Sequence, residues 1–162
     1  MKKSDTNENI LTEYNMKNID KYLIYDLVET TRSFFRAYFQ DAVKVDFSIQ
    51  SPSYIYLNGK GLAKFFREAL KLQRGENLLQ IYIKDSADVL NIVVGSKDGL
   101  TISDEEKLTL DNLAKESGFS MEIAEGAIII RHKLEGVDSI PLYSSDIPCP
   151  LYEDFKDVFF GE

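Results

Sequence analysis

Cysteine is almost absent from this sequence: Cys149 is the only one in 162 residues. An intrachain disulfide is therefore excluded, and a reducing compartment is the natural setting. Cations are in deficit as well. Nineteen Lys and Arg stand against 27 Asp and Glu, giving a formal net charge of −8 and a pI near 4.8. That balance argues against a general grip on nucleic acid, which needs clustered Lys and Arg to neutralise phosphates. It argues equally against an anionic membrane surface. The acidity serves solubility and leaves room for a basic protein partner. Long apolar runs are missing too. No stretch approaches the roughly 18 apolar residues of a membrane helix. The opening MKKSDTNENILTEYN has two lysines but no apolar core of signal-peptide length. A cytoplasmic protein is expected. Internal repeats and low-complexity tracts do not occur.

What remains is a chain with the means to build a core: 44% of residues are hydrophobic and 12% aromatic. Its length suits one domain. Residues 1–16 are polar and aperiodic, and a flexible arm is expected there. A long helix is expected over 20–40, with Asp20 at the N-cap. Ile24, Leu27, Val28, Thr31, Phe35, Tyr38 and Phe39 recur at spacings of three and four, forming one apolar stripe. VKVDFSIQ (43–50) alternates strictly, with Val43, Val45, Phe47 and Ile49 on one face. It reads as a strand with one wet face. YIYL (54–57) reads as a short second strand after Pro52. A second helix is expected over 58–74, capped by Asn58 and ended by Gly75, with Leu62, Phe65, Phe66, Ala69 and Leu70 as its stripe.

Two strands follow, 77–84 and 88–95, joined by a short hairpin loop at 85–88. Ser103 and Glu106 have the spacing of a capping box. The helix they open carries Leu110, Leu113 and Ala114 inward and ends at Gly118. FSMEIA (119–124), a Glu125-Gly126 turn and AIIIRHK (127–133) form a last hairpin. Paired strands between single helices imply a mixed, mostly antiparallel sheet rather than a doubly wound parallel one. The expected fold is α+β: a two-layer α/β sandwich of five or six strands, covered on one face by three helices, with a C-terminal tail helix. The domain occupies 17–134, and 135–162 form an extension.

This succession resembles the GHKL ATPase domain shared by sensor histidine kinases, anti-sigma-factor kinases and gyrase. It covers about residues 18–134, and it rests on the whole order of parts rather than on one motif. GKGLAKFFREALKLQRG resembles the helix that bears the asparagine box. LLQIYIKDSADVLNIVVGSKDGLTISDEE resembles a strand hairpin running into the Asp-x-Gly-x-Gly box. In that family an Asn holds Mg²⁺ between the phosphates, an Asp accepts from the adenine amino group, and a glycine-rich lid wraps the phosphates.

The resemblance puts Glu68 at the start of the asparagine box and Leu72 at the magnesium position; an alignment slid by four residues puts Glu68 there instead. Leu72 offers no oxygen to a hard cation. Lys97 stands where the adenine Asp belongs, and two donors cannot bond each other; Asp98 takes that place if the loop shifts by one. Gly99 is kept, and the second glycine is Thr101. The turn Glu125-Gly126 leaves no glycine-rich lid. A degenerate nucleotide pocket at Glu68, Leu72, Lys97, Asp98, Gly99 and Thr101 is therefore expected, with no metal and no cofactor. Glu68 is the one weak catalytic candidate, weighed against an ordinary helix carboxylate paired with Lys64 or Lys71. His132, the sole histidine, has no neighbour in sequence to orient it, and a strand-end surface role is expected.

The extension ends in an amphipathic piece that begins at Pro150. Leu151, Phe155, Val158 and Phe159 share one face, which must be buried on its own domain or on a partner, a second copy included. Cys149, between two prolines, suits a small structural residue. Two functions follow from the resemblance. The first is a non-catalytic, degenerate histidine-kinase-like module that binds a signalling or transcription regulator. The alternative is an active ATP-binding protein or kinase, with Mg-ATP as cofactor, using Glu68 and Asp98.

Overall fold

Alternating strands and amphipathic helices assemble into a helical layer on one face of a mixed sheet. The structure, a computed structural model, describes residues 19–136 and 150–161. The arm at 1–16 and Cys149 lie outside these residues. The elements in chain order are β1 (Asp20–Leu23), α1 (Ile24–Phe39), β2 (Val43–Ser48), β3 (Ser53–Leu57), α2 (Gly59–Leu70), β4 (Leu79–Ser86) and β5 (Val89–Gly95). They continue with α3 (Asp104–Ser117), β6 (Ser120–Ala124), β7 (Ala127–Lys133), β8 (Glu135–Gly136) and α4 (Pro150–Phe160). The two-layer α+β architecture expected from the sequence is the one observed.

The main sheet has five strands in the order β2-β4-β5-β7-β6. Only β2 and β4 run parallel, because α2 carries the chain back across the layer between them; the other neighbours are antiparallel. Leu79, Ile81, Ile83, Leu90, Ile92, Val94, Ile128 and Ile130 are buried toward the helices. The opposite face is wet and carries Arg131, which bridges to Glu122 at 2.6 Å and to Asn91 at 3.0 Å.

Four local expectations are corrected. Asp20 does not cap α1; residues 20–23 extend as β1, and Leu23 holds the N-cap position. β3 leaves the main sheet and joins a small sheet in the order β1-β3-β8. α2 ends at Leu70 with Lys71 as its C-cap, so Gly75 (φ 59°) serves the turn that follows rather than the helix end. Phe47 is 41% exposed despite its place in the apolar alternation, because β2 is the edge strand of the main sheet.

Helix α2 is the centre of the helical layer, and its N-terminal glycines explain how both neighbours approach it. Asn58 caps it by accepting from the Gly61 N–H at 3.1 Å. A Cβ on Gly59 would collide with Asp154 and Leu151 of α4, and one on Gly61 would stand 3.2 Å from Ser117 of α3. Helix α3 has the expected capping box and a left-handed Gly118 at its end. The apolar face of α4 packs back on its own domain. Leu151 and Phe155 are fully buried, and Phe155 meets Phe34, Phe35 and Phe66 at centroid distances of 5.4, 6.4 and 5.8 Å. Val158 and Phe159 are half-buried against the same core. Of the two burials open to this face, its own domain takes Leu151 and Phe155, so these two offer nothing to a partner.

Candidate functional site

Between the C-terminal half of α2 and the first turns of α3 lies a cleft of about 260 Å³ lined by Glu68, Lys71, Leu72, Ser103, Glu105, Glu106, Thr109 and Leu110. Two of the expected site residues, Glu68 and Leu72, meet here. Lys97, Asp98, Gly99 and Thr101 do not line it. Ser103, Glu105, Glu106 and Thr109 are site residues that the sequence reading did not assign. The capping box already marked Ser103 and Glu106, but as helix chemistry rather than as a wall.

Glu68, Lys71, Ser103 and Glu106 of the cleft have internal partners. Glu68 accepts from the Lys71 ammonium at 2.9 Å and lies 3.8 Å from the Arg67 Nε. Lys64, the other partner weighed for Glu68, pairs instead with Glu116 of α3 at 3.8 Å. Glu106 accepts from the Ser103 backbone N–H at 2.9 Å and faces Arg74 at 3.9 Å. The hydrogen bond from the Ser103 backbone, aided by the Ser103 hydroxyl and Arg74, holds the Glu106 carboxyl below the usual carboxylate range. Leu72 is 2% exposed and fills the floor with hydrocarbon. A magnesium ion wants several hard oxygens. The expected magnesium position is instead a leucine, and the nearby Glu68 is already held by a lysine, so that position does not fit one. Among the described residues, no group of three or more His, Cys, Asp or Glu could hold a metal.

The loop before α3 is bound to protein instead of framing the cleft. Asp98 accepts from the Asn77 amide at 3.2 Å. Gly99 and Gly126 both have positive φ, 84° and 77°, and they face each other so closely that a Cβ on Gly126 would stand 3.1 Å from the Gly99 Cα. The Leu100 N–H donates to the Gly126 carbonyl at 2.7 Å. The one glycine kept from the box thus has a local reason to be glycine: the loop is stapled to the β6–β7 turn. Lys97 and Thr101 are exposed. His132 packs edge-on against Phe119 at 5.1 Å, beside Gly118 at the end of α3, and does not line the cleft.

No family model matches this chain, and no curated protein matches it. Solved structures do. The histidine kinase ThkA in complex with the response regulator TrrA is similar at 13% identity and a TM-score of 0.51, covering 82% of this chain and 49% of that one. The ATP-binding domain of PrrB from Mycobacterium tuberculosis is 19% identical with a TM-score of 0.45, over 75% and 99% of the two chains. The cytoplasmic segment of the histidine kinase QseC is 13% identical with a TM-score of 0.45, over 83% and 92%. Among the described residues, no helix is long and apolar enough to cross a membrane. The chain therefore has a fold like that of the histidine kinase ThkA.

Proposed function

We propose that this domain keeps the kinase-like fold as a scaffold and acts by binding another protein, a signalling or transcription regulator, rather than by turning over ATP. One observation carries the reading. At the position where the resemblance calls for the magnesium ligand, the buried Leu72 supplies hydrocarbon, and the adjacent Glu68 is neutralised by Lys71. The cleft is also small: about 260 Å³, where sites for ligands of that size span roughly 300–1,000 Å³. Asp98, the residue that would have to receive the adenine amino group, is engaged with Asn77.

A kinase-like reading that uses Glu68 and Asp98 predicts the opposite behaviour toward nucleotide. Isothermal titration of the full chain with Mg-ATP separates the two. No saturable heat is expected up to about 1 mM, and the melting temperature stays flat over the same range. Micromolar binding would overturn the proposal, because ligand at about 100 times its Kd adds about 2.7 kcal/mol of stability and could not be missed.

A further inference from the structure

A second groove lies away from the α2–α3 cleft. It measures about 550 Å³ and is walled by Arg32, Phe35, Arg36 and Gln40 of α1 on one side. The other side is five consecutive residues of β2, Val43 to Phe47, with Leu78 at the end. Side chains of a strand alternate between faces. A groove lined by five in a row must therefore run along the strand's backbone edge, not over either face. That edge is open: β2 ends the order of the main sheet and pairs only with β4 among the described residues.

The charge of the groove runs against that of the chain. In a protein of net charge −8, its walls carry Arg32, Arg36 and Lys44 against the single carboxylate of Asp46. Lys44 and Asp46 lie 4.0 Å apart. Arg32 is held over the Phe47 ring at 5.7 Å and faces no carboxylate within ion-pair distance among the described residues; neither does Arg36. The exposed Phe47 ring offers an apolar platform beside Arg32.

We propose that this edge receives an acidic peptide segment of a partner protein, added as a further strand beside β2. Three features match an extended chain. The six residues of β2 offer roughly 20 Å of free ladder. Arg32 and Arg36 are one helical turn apart, about 6 Å along the axis, and alternate residues of a strand are spaced about 6.7 Å. Carboxylates at positions i and i+2 of the peptide therefore meet both guanidiniums, while its N–H and C=O groups pair with β2. The proposal extends the protein-binding reading by naming a surface for it. It does not involve the α2–α3 cleft, so a positive Mg-ATP titration would refute the earlier reading and leave this one standing.

The test is fluorescence anisotropy of a labelled octapeptide that alternates Glu with Thr and Val, mixed with the full chain. Saturable binding that weakens with salt is expected. The double substitution Arg32→Glu with Arg36→Glu should weaken it roughly tenfold or more, with circular dichroism unchanged. A probe N-methylated at alternate residues should lose binding to the unaltered protein, since only the ladder is blocked. Equal binding by the double variant or by the methylated probe would overturn the proposal, as would no saturation at millimolar protein. Displacement by a decathymidylate at equal concentration would point to nucleic acid instead. Self-association of the unaltered chain at micromolar concentration, abolished by Arg36→Glu, would assign the edge to a second copy; either result overturns it.

Discussion

Helix α2 packs against both α3 and α4, and the two interfaces differ in kind. Toward α4 the contact is dry and aromatic: Phe66 meets Phe155, Phe155 meets Phe34, and Phe34 meets Phe159 at 4.9 Å. Arg67 adds one bond across the rim, to the Val158 carbonyl at 3.0 Å. Toward α3 the two helices approach closely at Gly61 and Ser117, are bridged by Lys64 and Glu116 at 3.8 Å, and leave a cleft edged with carboxylates further along. The segment beyond the kinase-like succession thus brings most of the rings to the helical layer. Aromatic burial is non-directional and strong, so α4 can anchor the layer with no special geometry. The α3 side adds exposed charge pairs, which are weak at the surface, to the buried Leu110 and Ala114.

The contrast is sharpest where the ring cluster is cut. Phe155→Ala removes a fully buried ring and should cost about 3–5 kcal/mol, read as a lower midpoint in urea unfolding. A loss under about 1 kcal/mol would mean that α4 docks loosely and that the helical layer does not depend on it. Next comes Gly126→Ala, which strains a residue at φ 77° and pushes a methyl at Gly99. It should cost roughly 1–2 kcal/mol and loosen the 97–101 loop, seen as faster amide exchange at Leu100. Ser103→Ala should follow at about 1 kcal/mol, because the Ser103 hydroxyl accepts from the Glu106 N–H at 3.1 Å. Ser103→Asp, which can still cap, should recover most of it.

Much of the fold is legible in local pattern because alternation and stripes record which face is buried. β4, β5, β7 and the capping box of α3 follow directly. The misses share one cause: a partner distant in sequence. Phe34 lies off the stripe read for α1, yet it is fully buried, while Tyr38 on the stripe is 46% exposed. The arriving α4 widens the buried face toward Phe34. Tyr22 and Leu23 look like a helix start until β3 supplies a strand to pair with them, Tyr22 opposite Ile55 and Leu23 opposite Tyr54. At the site, the pairing of Glu68 with Lys71 is local and was open to reading. The Asn77–Asp98 bond, 21 residues apart in sequence, and the Gly99–Gly126 contact are products of the sheet and could not be seen in spacing. The α1–β2 groove was hidden for a related reason: which strand ends a sheet is a property of topology.

The smallest effect expected belongs to the rim of the α4 interface, and its sign depends on pH. Asp154 sits half-buried beside Gly59. Burial raises its carboxyl above the ordinary value, with nearby Asp20, Asp157 and Glu153 adding to the rise and Lys60 opposing it. A carboxyl whose folded pKa is raised binds its proton more tightly in the folded state than in the unfolded chain. It costs nothing where both states are protonated. The cost grows as pH rises through the unfolded value, about 3.9, and is complete above the folded one. Asp154→Asn should therefore raise the melting temperature slightly at pH 7 and leave it unchanged near pH 3. The opposite order, with a loss at pH 7, would show that the carboxylate is held by Lys60 strongly enough to outweigh its burial. The polar rim of α4 would then support the helix alongside its rings.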